Sequence, residues 1–289
     1  MRISRIFLPF LVLAGSPAWA QPEASAVAPP LQRLEQRLAA TASDNPGEFG
    51  IAAMDLATGE AVSVNGDKAF PMASTVKVAV AATYLGEVDA GRRTLADPVA
   101  GTTASALMER MIIHSDNRAT DLLIATLGGP TSVDVWLHAH GLAGIRVDRT
   151  IAQLLAARRD LRDVRDSSTP KAMIDLLRLV DGGSALKPES RAVLLDLMRR
   201  CATGRNRIRA LLPPGTLVEH KTGTLNGFTG DVAFVTLPDG RRIAMAMFAR
   251  GGDNRPGVIA TVARAIYDGF AGQATASAAA AGGTVGSDR

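Results

Sequence analysis

Residues 70–82, Phe70-Pro71-Met72-Ala73-Ser74-Thr75-Val76-Lys77-Val78-Ala79-Val80-Ala81-Ala82, restrict the fold more than any other stretch of the chain. Phe70 and Pro71 break the preceding structure, and Ser74 reads as a capping or first helical position. Val76, Val78, Ala79, Val80 and Ala82 leave that helix almost no polar surface, so other elements must surround it. Lys77 falls on the same helical face as Ser74, about one turn on. A buried lysine is costly unless it has partners or a lowered pKa. Beside a serine hydroxyl, such an amine can take the proton and make the oxygen a nucleophile. Ser-x-x-Lys alone is a common coincidence, so its meaning depends on the rest of the chain.

Around this helix the apolar spacing divides the chain into strands at both ends and helices between. Leu31–Ala40 reads as a short amphipathic helix, and Gly50–Asp55 with Ala61–Asn65 as a hairpin. Residues 91–104 read as loop. Helical patterns follow at Leu107–Ile113, Ala119–Leu127, Trp136–Gly141, Ala172–Val180, Arg191–Cys201 and Ile208–Leu212. Leu217–Thr222, Gly230–Leu237 and Arg242–Ala249 read as strands, with a tight turn at Pro238-Asp239-Gly240, and Val258–Phe270 as a closing apolar helix. This order predicts an α+β fold: an antiparallel sheet built from both chain ends, covered by the terminal helices and packed against a mostly helical lobe. Residues 31–272 then form one catalytic domain, with a sheet lobe (31–73 and 214–272) and a helical lobe (74–213). Ser74 is expected where the lobes meet, a usual place for a ligand cleft.

Composition narrows the function classes. Residues 1–20 begin with Arg2 and Arg5, continue through an apolar run and end in Ala18-Trp19-Ala20, the pattern of a secretory leader. That predicts export to a periplasm, with no membrane insertion once the leader is removed. The formal charge of +4 includes both of those arginines, so the exported chain carries +2 and shows no basic cluster suited to nucleic acid. Residues 21–30 read as a flexible lead and 273–289 as a disordered tail. Cys201, the only cysteine, is expected as a small buried apolar side chain. His138-Ala139-His140 suggests zinc only superficially, having no companion acid or cysteine. A monomer is the default.

Two further motifs follow the serine helix. Ser115-Asp116-Asn117 falls between helical segments; its hydroxyl could relay a proton and Asn117 could offer an amide, although an ordinary helix cap has the same composition. Lys221-Thr222-Gly223-Thr224 ends a predicted strand, where a lysine and two hydroxyls suit a carboxylate and Gly223 permits close approach to the backbone.

Ser74-x-x-Lys77, Ser115-Asp116-Asn117 and Lys221-Thr222-Gly223, in that order, resemble the motif set of class A serine β-lactamases and penicillin-binding proteins. The resemblance extends over nearly the whole length after the leader, through Val88-Asp89-Ala90-Gly91, Thr203-Gly204, Leu211-Leu212-Pro213, and an omega loop bounded by Arg149 and Asp166. It implies an acyl-enzyme mechanism with no cofactor or metal. Ser74 would attack a β-lactam carbonyl, and Lys77 with Ser115 would move protons. The backbone N–H groups of Ser74 and Thr224 would form an oxyanion hole, at about 3 kcal/mol per donor. Lys221, Thr222 and Thr224 would hold the substrate carboxylate and Asn117 the side-chain amide; Arg255 is a weaker candidate for the carboxylate.

The chain also departs from that family. Residues 149–166 contain no glutamate and no asparagine; the position of the family's hydrolytic glutamate falls on Ile151 counted from Arg149, or on Gln153 counted back from Asp166. Asp160 and Asp163 are the acids within the loop. The segment between Gly91 and Ser115 is short for the family, which implies a more open cleft. Three readings follow. One is a β-lactam hydrolase with unusual deacylation. The others are a D-alanyl-D-alanine peptidase-type acyl enzyme and a periplasmic β-lactam sensor that stays acylated.

Overall fold

The computed structural model describes residues 29–158 and 160–282, with side chains through residue 272 except that of Pro29. The expected leader (1–20) and most of the lead (21–30) lie outside the described residues. The elements in order are α1 (Pro29–Ser43), β1 (Glu48–Asp55), β2 (Ala61–Val64), β3 (Phe70–Pro71), a 3-10 turn (Ala73–Val76), α2 (Lys77–Asp89), β4 (Pro98–Val99) and β5 (Thr102–Thr103). Then come α3 (Ala104–Ile113), α4 (Asn117–Leu127), α5 (Pro130–Ala139), α6 (Ile151–Ala156), β6 (Ser167–Ser168), α7 (Pro170–Asp181) and α8 (Pro188–Arg199). A second 3-10 turn (Ile208–Leu211), β7 (Val218–Leu225), β8 (Phe228–Thr236), β9 (Arg242–Arg250) and α9 (Arg255–Gly282) complete the chain.

The main sheet has the order β2-β1-β9-β8-β7 with antiparallel neighbours, so both chain ends meet at the β1–β9 pair (Ile51 opposite Met247). Strand alternation divides its side chains between two cores. Ile243, Met245, Met247 and Ala249 of β9 pack on the face covered by α1 and α9, with Leu34, Leu38, Ile266 and Phe270. Ala244, Ala246 and Phe248 face the helical lobe instead. Both faces being covered, β9 reads as an almost unbroken apolar run.

The helical lobe is organised around α2, whose residues from Lys77 to Leu85 are all buried. It is packed by α3, α4, α5 and α8, which is the enclosure that its composition demands.

Several features depart from the sequence reading. Residues 91–104 hold the two-residue strands β4 and β5. Helix α5 begins at Pro130, where Gly128 and Gly129 end α4 with positive φ and a proline opens the next helix. Helix α9 continues to Gly282, through a stretch whose composition predicts no structure; its alanines have the highest helix propensity.

Candidate active site

The chain enters the site through β3, which pairs with β6: Phe70 lies opposite Ser168 and Pro71 opposite Ser167. Met72 N–H donates to Asp166 O (3.0 Å), so the end of the 149–166 loop is tied to the segment before Ser74. Ala73 then takes φ +48°, a strained value for a residue with a Cβ, and the 3-10 turn carries Ser74 into α2. Ser115 is likewise strained, at φ +58°. Such strain costs about 1–3 kcal/mol per residue and clusters at functional sites.

These two turns meet at Lys77. Its Nζ donates to Ser115 O (2.7 Å), Ser115 Oγ (3.2 Å) and Asn117 Oδ1 (2.8 Å). From the other side, Lys221 Nζ donates to Ser115 Oγ (3.0 Å). The Ser115 hydroxyl therefore lies between two fully buried lysines. Burial and the Lys221 charge lower the Lys77 pKa to about 7, against the pull of Asp116 and Asp121. Burial lowers Lys221 to about 8, where Cys201 and Asp231 hold it up and Arg207 opposes them. Neutral Lys77 is thus available near neutral pH, as a proton acceptor must be. Asp116 plays a structural part, capping α4 through Ala119 N–H (2.9 Å) and pairing with Arg110 (2.5 Å).

β7 is the edge strand beside the Ser74 turn. A Cβ on Gly223 would stand 2.6 Å from Met72 O, so glycine is what allows the strand and the turn to approach. Thr222 Oγ1 lies 2.6 Å from Thr203 Oγ1. Thr224 is exposed, and its hydroxyl accepts from Arg207 Nη2 (2.7 Å). Arg207 Nη1 also donates to Gly223 O (3.0 Å) and Gly230 O (2.8 Å). The sequence reading missed Arg207; its signal was an arginine three residues after the Thr203-Gly204 pair, in the turn closed by Arg207 N–H on Gly204 O (3.0 Å). Arg255, the candidate named instead, donates to Gly251 O and Gly252 O of its own turn and to Thr229 Oγ1 (3.3 Å). The structure thus brings Ser115 and Asn117 onto Lys77, Lys221 onto Ser115, and Thr222 and Thr224 onto the strand beside Ser74.

The 149–166 loop is closed by Arg149 Nε on Asp166 Oδ2 (2.5 Å), and Asp166 Oδ1 accepts from Asp148 N–H (2.8 Å) and Arg149 N–H (3.0 Å). Inside it α6 is opened by a capping box, Thr150 Oγ1 accepting from Gln153 N–H and Gln153 Oε1 from Thr150 N–H. Asp121 of α4 grips the same end, its carboxylate accepting from Ile151 N–H (2.6 Å) and Ala152 N–H (2.9 Å). Ile151 belongs to the helical-lobe core and Gln153 is exposed on its cap. Asp163 pairs with Arg165 (2.7 Å) and Arg149 (3.4 Å), and the Arg165 contact above all lowers its pKa to about 2. Asp160 accepts from Arg162 N–H (2.8 Å). His138 and His140 each turn Nδ1 onto a carbonyl of α5 (2.9 and 2.8 Å).

A sequence profile described as the Beta-lactamase enzyme family matches residues 33–270. Beta-lactamase OXY-2 of Klebsiella oxytoca is 30% identical over 284 residues, covering 90% of this chain and 94% of that one. Beta-lactamase CTX-M-8 of Citrobacter amalonaticus is 32% identical over 285 residues, with the same coverage of 90% and 94%. Among solved structures, the ancestral (GNCA) class A beta-lactamase superposes with a TM-score of 0.77 at 34% identity, covering 82% of this chain and 100% of that one. A beta-lactamase from Chitinophaga pinensis DSM 2588 gives a TM-score of 0.77 at 27% identity, covering 82% and 99%. Fold, motif order and these likenesses agree: the chain belongs to the β-lactamase enzyme family, in its class A serine branch.

Proposed function

We propose that this protein hydrolyses β-lactams through an acyl-enzyme on Ser74, with Lys77 as the proton acceptor in both half-reactions. The observation that carries this reading is the fully buried Lys77 amine hydrogen-bonded to Ser115 and Asn117, where burial and the Lys221 charge lower its pKa to about 7. Neutral Lys77 takes the Ser74 proton as Oγ attacks the lactam carbonyl. The Ser74 and Thr224 N–H groups receive the developing oxyanion. The proton passes from Lys77 through Ser115 Oγ to the lactam nitrogen, and Lys221, hydrogen-bonded to the same oxygen, favours its transient negative charge. Lys221, Thr222 and Thr224 hold the substrate carboxylate, with Arg207 orienting the Thr224 hydroxyl. Asn117 Oδ1 is turned to Lys77, a donor-only group when charged, which leaves the amide N–H2 for a substrate carbonyl.

Delivery of the proton to the leaving nitrogen restores neutral Lys77, which then activates water on the acyl-enzyme. The arrangement of the 149–166 loop supports this assignment. Ile151 is part of the core, the Gln153 amide is no base, and Asp163 is tied to two arginines. Deacylation is accordingly the slower half-reaction. The pattern of residues 1–20 supports export to the periplasm, which is checked by fractionation and by N-terminal sequencing for a start at Gln21.

The test is ring opening of a β-lactam followed over many equivalents, with intact-protein mass in parallel. Repeated turnover with an adduct on the Ser74 peptide, and neither turnover nor adduct in Ser74→Ala, is expected. An adduct that never clears favours a sensor. Faster cleavage of a D-alanyl-D-alanine peptide than of any β-lactam favours a peptidase.

A further inference from the structure

From Thr222 a line of buried polar side chains leads away from the cleft. Thr203 Oγ1 is 2.6 Å from Thr222 Oγ1, and Cys201 Sγ is 3.4 Å from Thr203 Oγ1; in both contacts either atom can donate. Beside the sulfur stands His220, whose Nδ1 is 3.0 and 3.2 Å from the Asp231 carboxylate oxygens. Asp231 also accepts from Ile208 N–H (3.3 Å). Cys201 is 2% exposed, and His220 and Asp231 are 0% exposed. His220 Nε2 is buried and makes no hydrogen bond of its own, while Asp231 holds the other ring nitrogen. Acyl transfer on Ser74 employs none of these three groups.

Burial pushes His220 down, but Asp231 and the sulfur outweigh it and raise the imidazole to about 9. Burial pushes the Cys201 thiol up, but His220, Lys221 and Thr203 outweigh it and lower the thiol to about 6. The charged groups acting around the sulfur are His220 and Lys221 of β7, Asp231 of β8, and Arg207 of the turn before the second 3-10 segment.

We propose that Cys201 is a positioning residue whose proton sets the direction in which the Thr222 hydroxyl donates, and so the affinity of the site for an anionic substrate. The inference rests on Thr222 holding the substrate carboxylate. A protonated imidazole is donor-only at Nε2, so a neutral Cys201 S–H gives its proton to Thr203. Thr203 then donates to Thr222, and the Thr222 O–H is left to point at the carboxylate. A thiolate reverses the line. It accepts from Thr203, Thr203 accepts from Thr222, and Thr222 presents only lone pairs to the anion. One proton on a buried sulfur thus changes a substrate contact two hydrogen bonds away.

The test separates binding from chemistry in the acylation burst, using a carboxylate-bearing β-lactam with the wild type, Cys201→Ser and Cys201→Ala. In the wild type, the substrate concentration that half-saturates the burst should rise about tenfold as pH climbs through about 6, the loss of one hydrogen bond to a charged group. In both variants it should stay at its low value across the same range. The limiting burst rate should share one pH profile in all three proteins. The far-ultraviolet thiolate absorbance of wild type minus Cys201→Ser should step at about 6. A missing step, or half-saturation profiles that superimpose, overturns the proposal. Intact mass on the same samples keeps the two failures apart. A Ser74 adduct with superimposed profiles overturns the role of Cys201 alone; no adduct in the wild type overturns the underlying reading of the site.

Discussion

In the proposed mechanism Lys77 is the residue on which the chemistry turns, and its environment sets the pH dependence. Proton acceptance needs the neutral amine, so the limiting acylation rate should rise with pH through about 7 and then level. The proposed carboxylate contact needs charged Lys221, so affinity should weaken above about 8. The limiting acylation rate should therefore carry the rise near pH 7, and half-saturation should weaken above about 8 on top of the change near pH 6 set by Cys201; an acylation rate flat from acid to alkaline pH contradicts this. Lys77→Arg keeps the positive charge but cannot deprotonate, and should lower the acylation rate by about 10²–10⁴-fold with little change in half-saturation. Stopped-flow burst kinetics measure both quantities.

Two elements hold this residue chemistry in register, and each can be broken separately. At Gly223, β7 approaches the Ser74 turn so closely that Gly223→Ala would drive a Cβ onto Met72 O and Ala73 Cβ (2.6 and 3.2 Å), both near the nucleophile. Such overpacking costs about 1–3 kcal/mol, and acylation should fall by more than the stability loss explains. Denaturant melts beside burst rates show whether it does. The 149–166 loop depends on the Arg149–Asp166 pair, whose side chains are 12% and 9% exposed. Asp166→Ala leaves the nearly buried Arg149 only its 3.4 Å contact with Asp163 and two backbone N–H groups without their acceptor, a loss of about 3–5 kcal/mol. An unchanged denaturation midpoint in that variant would mean the loop is held by other contacts. Much of this was legible in the residues. The apolar composition around Lys77 announced a helix enclosed on all sides, and the Pro238-Asp239-Gly240 turn announced the β8–β9 hairpin. Helix α6 was overlooked although Thr150-Ile151-Ala152-Gln153 is a capping-box pattern, because six residues are too few to show a helical period. The β3–β6 pairing was not legible: two residues carry no strand signal, and their register is fixed by contacts distant in sequence.

At the scale of the whole molecule, the sheet assembled from both chain ends carries one core against α1 and α9 and another against the helical lobe. The proposed site lies where the second core meets edge strand β7, so the Ser74 turn, the Ser115 turn and the Lys221–Thr224 strand end come from three distant parts of the sequence. Motif order alone brought those parts together on paper. What it could not supply was Arg207, whose role depends on a turn folding back over β7, or the Cys201–His220–Asp231 line, in which a residue read as a small apolar filler lies beside a charged imidazole. Helix α6 carries no carboxylate, and Lys77 is proposed to serve both half-reactions with deacylation slower. The most direct test mixes the protein with excess chromogenic cephalosporin and follows absorbance and intact mass together. A burst of about one equivalent is expected, then slower steady turnover with the adduct present, and loss of the adduct when substrate is exhausted. Turnover linear from the first instant with no adduct would contradict it, as would absorbance that stops at one equivalent with an adduct that persists.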